Sequence, residues 1–283
     1  MPLLPMSDLL TEAYAGGYAV PAFCVWGAEA VQTVLGVAER LRAPVILMTA
    51  PADYPMLAPA AIGAVVRALL PAHEVRAALL LDHGDSLDRV RECMAAGHTS
   101  VMLDYSTRPL AENIAALREV VALAHPRGVS VEGELGVVGK ASATAVEGGA
   151  GVALTDPQEA ANYVAATGVD CLAVAIGNAH GHYAKLPQLD FDRLARVREA
   201  VNVPLALHGG SGTPDEDLRR AISLGIAKVN VATDLITTVR QSLLDQWHAG
   251  RNLWIPQAMA VATAEMAAVV ERWIERTGAA GRA

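Results

Sequence analysis

Three histidines each close a glycine-bearing turn: Asp82-His83-Gly84, Ala179-His180-Gly181-His182 and Leu207-His208-Gly209-Gly210-Ser211-Gly212. Each turn follows an apolar run that reads as a buried strand: Ala77–Leu81, Cys171–Ile176 and Pro204–Leu207. A histidine held by glycines at a strand end is poorly placed for core packing. Neutral imidazoles are good zinc ligands, and three with an open fourth position form a catalytic arrangement. The same ligand set also admits cobalt or iron. The three can converge only if their strands share one sheet.

Other polar residues fall at strand ends too. Asp82 stands beside His83, where it can cap the next helix or act as acid and base. Glu132 and Glu134 alternate with Val131, Gly133 and Leu135, so both face one side. A carboxylate pair facing a barrel lumen is costly unless it serves a metal or its supporting residues. The turns His208-Gly209-Gly210-Ser211-Gly212 and Asn230-Val231-Ala232-Thr233 suit phosphate. Glycines let backbone N–H groups approach, and Ser211 and Thr233 add hydroxyl donors. His73, His98, His125, His182 and His248 lack such a setting and read as surface residues or neighbours of the site.

Positioning these groups requires regular elements, and the chain supplies them. Eight β-type runs are expected at Val20–Phe23, Val45–Thr49, Ala77–Leu81, Ser100–Asp104, Val129–Leu135, Cys171–Ile176, Pro204–Leu207 and Lys228–Ala232. Helical patterns follow each: Ala28–Leu41, Pro59–Leu70, Leu87–Ala96, Ala111–Ala124, Pro157–Thr167, Asp190–Ala200, Pro214–Leu224 and Asp234–Trp247. Thr155-Asp156-Pro157 and Thr213-Pro214-Asp215 put a capping side chain before a first-turn proline. Gly97, Gly168 and Gly225 stand where helices should stop. Eight strands with eight helices predict one α/β domain over residues 1–283, a (β/α)8 TIM barrel, with Trp254–Thr277 as a C-terminal helical extension. The strand ends then ring one mouth. Gly136–Leu154, rich in Gly and Ala, reads as a mobile lid over it.

Composition narrows the class. Of 283 residues, 53% are hydrophobic but only 4% aromatic, so the core must be aliphatic, as stacked parallel strands prefer. A net charge of −8 argues against a nucleic-acid groove. Cys24, Cys93 and Cys171 are scattered and odd in number, reading as reduced thiols. No signal peptide is evident and no apolar run reaches the roughly 18 residues of a membrane span. A cytoplasmic protein with no membrane partner is expected.

The chain resembles the class II, zinc-dependent ketose-bisphosphate aldolases, and within them the tagatose-bisphosphate branch. The resemblance rests on Gly17-Tyr18-Ala19-Val20-Pro21-Ala22-Phe23, Ala43-Pro44-Val45-Ile46, Leu81-Asp82-His83, Thr99–Asp104, Val129–Gly136, Leu172–Gly181, His208–Gly212, Lys228–Asp234 and the closing Gly281-Arg282-Ala283. It implies that His83, His180 and His208 ligate Zn2+, and that Asp82 handles the aldol hydroxyl proton. It implies dihydroxyacetone phosphate at Gly181, Gly209, Ser211, Asn230 and Thr233, with Glu134 and Asp104 near the metal. It further implies cleavage of a phosphorylated ketose to dihydroxyacetone phosphate and an aldehyde, a homo-oligomer (dimer or tetramer), and a monovalent cation, Na+ or K+, near the phosphate.

The departures surround the acceptor. Cys24 replaces a usual Asn, another Asn near Gly27 is missing, and a usual Ser or Thr turn reads Thr49-Ala50-Pro51-Ala52. A usual Ser-His after Asp104 reads Tyr105-Ser106-Thr107-Arg108. The lid carboxylate that serves as base is replaced by Ser142 or Ala143, which leaves Glu147 as the lid's candidate base. A non-standard aldehyde, its anionic group met by Arg108 or Lys140, would account for these changes. Two alternatives stay open: a zinc- and sugar-phosphate-dependent isomerase or epimerase, and a non-catalytic zinc- and phosphosugar-binding subunit.

Overall fold

The computed structural model describes residues 2–140, 153–181, 186–251 and 254–283. Ten strands are present among them: β1 Val20–Cys24, β2 Val45–Thr49, β3 Ala77–Gly84, β4 Ser100–Leu103, β5 Ser130–Leu135, β6 Gly139–Lys140, β7 Cys171–Val174, β8 Ala179–His180, β9 Leu205–Leu207 and β10 Ile226–Val231. Eight close into a parallel barrel in the order β1-β10-β9-β7-β5-β4-β3-β2. Their residues are buried on both faces, as helix-covered parallel strands require. The TIM barrel expected from the sequence is therefore present. β6 and β8 form a separate two-stranded ladder, pairing Gly139 with Ala179 and Lys140 with His180.

The helices are α1 Met6–Gly16, α2 Ala28–Leu41, α3 Pro59–Leu69, α4 Leu87–Ala95, α5 Leu110–Ala124, α6 Pro157–Thr167, α7 Phe191–Ala200, α8 Asp215–Ser223, α9 Thr233–His248 and α10 Ile255–Arg276. None is long and apolar enough to cross a membrane. α10 is the expected extension, packed on α9 and α2. α1 was not anticipated. Its Met6, Leu9, Leu10 and Ala13 share one buried face, and Gly17 stops it in the left-handed region. It docks on the strand starts: the Met6 N–H donates to Ser100 Oγ at 2.9 Å and the Leu4 N–H to the Ala77 carbonyl.

One expected helix cap is present and the other is not. Asp156 caps α6, accepting from the N–H groups of Gln158 and Glu159, with Pro157 in the first turn. Thr213 does not cap α8, which begins at Asp215 after an extended Pro214; its carbonyl accepts from Arg276 instead. The three cysteines are free and buried. His98 is not a surface residue. It is buried, its Nε2 3.0 Å from Thr49 Oγ1 and its Nδ1 against the Cys93 carbonyl; burial lowers its pKa to about 4.

The Asp156 cap yields a stability prediction. Asp156→Ala leaves two first-turn N–H groups without their acceptor and costs about 1 kcal/mol, read from the urea midpoint at unchanged m-value.

Candidate active site

Strand ends assemble the histidines by different routes. β3 carries His83, whose φ of +46° puts a non-glycine residue in the left-handed region. The β3–β4 pairing shifts register between Leu81 and Gly84, and Gly84 accepts from the Asp104 N–H at 2.9 Å. That irregularity turns the His83 ring inward at a cost of order 1–3 kcal/mol. His180 belongs to β8, set by the ladder with β6. Asn178 ties this segment to its neighbour: its Oδ1 accepts from the Ile176 N–H, and its Nδ2 donates to the His208 carbonyl at 3.0 Å. A Cβ at Gly209 (φ +64°) would overlap the Ala179 carbonyl, so only glycine lets these two histidine turns touch.

The three rings meet. Nε2 of His83 lies 3.2 Å from Nε2 of His180 and 3.0 Å from Nδ1 of His208. Tetrahedral zinc bound at 2.0–2.1 Å holds its nitrogens about 3.3 Å apart, so the cluster has the right span. The outward nitrogens are engaged as ligating imidazoles require. His83 Nδ1 is 2.8 Å from Asp104 Oδ2, and His208 Nε2 is 2.7 Å from Glu132 Oε1. Burial and the two neighbouring imidazoles lower the His180 pKa to about 4, leaving a lone pair free at neutral pH. Burial acts the same way on His83, but Asp82, Asp104 and Glu134 outweigh it and raise that pKa to about 10. A metal taking this position displaces the His83 proton.

Beneath the cluster runs a buried ionic chain. Lys228 Nζ lies 2.8 Å from Glu132 Oε2, and both side chains are fully buried. Sequence reasoning missed Lys228 as a functional residue. The available signal was a lysine two residues before Asn230 in an otherwise apolar strand, which points both into the lumen. Glu134 also faces the cluster, its Oε2 3.6 Å from His208 Nδ1 and without a hydrogen bond; burial raises its pKa. His83, Asp104 and Glu134 form a second group able to hold a metal.

Asp82 does not cap α4; Ser86 does. Its Oδ1 accepts from Asn230 Nδ2 at 3.0 Å, and its Oδ2 lies 4.0 Å from His83 Nε2. Burial would raise its pKa, but His83, His208 and Lys228 hold it below the ordinary value, so it stays ionised. The expected phosphate turns lie side by side. The Gly210 N–H donates to the Asn230 carbonyl, and the Asp234 N–H to Ser211 Oγ at 3.1 Å. Val231 ends β10, Ala232 precedes α9 and Thr233 opens it, beside the helix N-terminus. Gly181 follows His180 with φ +104°. α10 braces both turns: Trp273 Nε1 donates to Asp234 Oδ2 at 2.8 Å, and Arg276 reaches the Thr213 carbonyl and Asp215.

Arg108 is not brought to the histidines. It is exposed, stacked on Tyr105 and 3.9 Å from Glu112. Ser142, Ala143, Glu147 and His182, and the Lys140 side chain, lie outside the described residues.

Residues 4–282 match the family model for fructose-bisphosphate aldolase class-II. The chain belongs to that family. It is an aldolase, a carbon–carbon lyase, which sets aside the isomerase and binding-subunit alternatives. Among solved structures it is similar to the YdjI aldolase from Escherichia coli K12, at 32% identity over 99% of each chain and a TM-score of 0.89. A putative fructose-1,6-biphosphate aldolase from Coccidioides immitis aligns at 31% identity over 97% of this chain and 96% of that one, TM-score 0.88. Fructose-bisphosphate aldolase from Campylobacter jejuni shares the fold at 20% identity over 100% and 97%, TM-score 0.86.

The ionic chain predicts a metal phenotype. Glu132→Gln removes both the charge behind His208 and the partner of buried Lys228, so stability falls by about 3–5 kcal/mol and zinc affinity of the folded variant falls about 10–100-fold in a chelator competition. An unchanged affinity would mean that His208 needs no carboxylate behind it.

Proposed function

We propose that this aldolase is zinc-dependent, uses dihydroxyacetone phosphate as donor, and takes an aldehyde other than the usual triose phosphate. One observation carries the reading: nitrogens of three histidines converge beside an ionised Asp82, next to glycine-rich turns at a helix N-terminus. The motif set, with its closing Gly281-Arg282-Ala283, supports a place near the tagatose-bisphosphate branch. His83, His180 and His208 would hold Zn2+, which when bound polarises the donor carbonyl and stabilises negative charge beside it.

The chain's residues account for the rest. Gly181, Gly209, Gly210, Ser211, Asn230, Val231, Ala232 and Thr233 receive the donor phosphate; Gly210, whose N–H is given to the Asn230 carbonyl, shapes the turn, and the hydroxyls and other backbone N–H groups donate. In cleavage, Asp82 accepts the proton of the hydroxyl on the carbon that becomes the aldehyde. The bond between C3 and C4 breaks, and its electron pair stays on the donor half. Protonation at C3 by an acid then releases dihydroxyacetone phosphate. Glu134 supports the charge at the metal, and Glu147 is our candidate for the C3 proton. Sodium or potassium near the phosphate belongs to the same reading.

Buried free thiols suit a reducing, cytoplasmic setting. Exposed Trp247, Trp254 and Ile255 support a homo-oligomer, a dimer or tetramer, which light scattering resolves.

Two measurements test the chemistry. Zinc-loaded enzyme exchanges the C3 proton of dihydroxyacetone phosphate for deuterium by NMR; a chelator abolishes this and zinc restores it. Exchange indifferent to the chelator would remove the metal from the mechanism. Glu147→Gln slows exchange about 10²–10⁴-fold, the usual contribution of a proton-transfer group. An unimpaired variant would place the base elsewhere.

A further inference from the structure

The mouth is chemically divided. On one side lie the β9 and β10 turns with their N–H donors. The β4, β5 and β8 side is taken by Asp104, Glu134 and the β6–β8 ladder. What remains for the aldehyde, beyond Asp82, is the arc formed by the ends of β1, β2 and β3. Cys24 stands opposite Met48, and Thr49 opposite Leu81, so Ala50 follows at the level of Asp82.

This arc holds carboxylates where an anion would need donors. The Asp53 carboxylate accepts from the Ala50 N–H at 2.9 Å, taking up the donor at the end of β2. Burial raises the Asp53 pKa and the nearby Asp82 charge adds to it, so the two acids share one neighbourhood. Thr49 cannot turn outward freely: its hydroxyl is held by Tyr54 at 2.8 Å and by His98. Cys24 offers a buried thiol that burial keeps protonated. Among the described residues, Arg89 stacks over Tyr54 but is already paired with Asp85 and Glu92.

A phosphate dianion here would meet the Asp53 and Asp82 carboxylates, with Arg89 already paired among the described residues, and like charges so placed are strongly disfavoured. A hydroxyl, by contrast, donates readily to a carboxylate. We propose that the acceptor is an uncharged, unphosphorylated hydroxyaldehyde whose hydroxyls donate to the carboxylates of this arc. The inference rests on the aldolase reading above, with the donor phosphate on the β9 and β10 turns. It replaces the expectation that Arg108 meets an anionic acceptor.

The test compares kcat/KM for condensation of dihydroxyacetone phosphate with glyceraldehyde and with glyceraldehyde 3-phosphate, using full-length zinc-loaded enzyme. The uncharged aldehyde should be favoured by about tenfold or more, and Asp53→Asn should narrow that ratio several-fold by improving use of the phosphorylated one. Ala50→Ser, which adds a hydroxyl donor at the end of β2, gives the same readout if the Asp53 variant folds poorly. A wild-type preference for the phosphorylated aldehyde, or a ratio unmoved in both variants, would overturn the proposal. Failure to consume either aldehyde, with no deuterium exchange into dihydroxyacetone phosphate, would instead remove the donor reading on which it stands.

Discussion

Inside the barrel, Lys228 and Glu132 form an ion pair with no access to water, and Glu132 passes its second contact to His208. An unpaired charge there is ruinous: breaking such a pair by removing one partner costs about 3–5 kcal/mol. The pair is therefore tied to the barrel's closure, which brings β5 and β10 across the lumen from each other. The same closure orients His208. With Nε2 committed to Glu132, only Nδ1 is left to face the other histidines. The stability of the lumen and the geometry of the candidate metal site are thus one arrangement.

The mouth above it works by contrast of charge. Glycine-rich turns on β9 and β10 lie beside a helix N-terminus, the side we propose for the donor phosphate despite an overall charge of −8. The β1–β3 arc presents carboxylates whose hydrogen bonds are internal. A ketose lying between them would be held by its charged end on one side and read by its hydroxyls on the other. Asp82 stands at the boundary, kept ionised by the cationic groups around it.

Parts distant in sequence keep this division rigid. Trp273 and Arg276 of α10 reach the turns after both β9 and β10, so the C-terminal helix braces them. At the far end of the strands, α1 docks on serines of β4 and β5. The Val137 N–H donates to the Ala153 carbonyl at 2.8 Å and the Thr155 hydroxyl to the Leu135 carbonyl, which ties the end of β5 to the approach to α6.

Much was legible in the sequence because it is local. Strand and helix periodicity, glycines that permit left-handed turns, the Asp156 cap and the three His-Gly turns need only neighbouring residues to be read. Eight such units predict a barrel, and a barrel predicts that strand ends meet. The alternation of Glu132 and Glu134 placed both on one face. What could not be read depends on partners far apart in the chain. Lys228 looks like any strand lysine until β10 lies opposite Glu132. His98 looks exposed until Thr49 and Cys93 close around it. Asp53 comes near Asp82 only when β2 sets Ala50 beside it, and only the fold stacks Arg108 on Tyr105. Sequence determines which groups are available and how the backbone turns beneath them. Tertiary structure decides which charges face each other, because Coulomb energy and desolvation depend on distances that only the closed barrel defines.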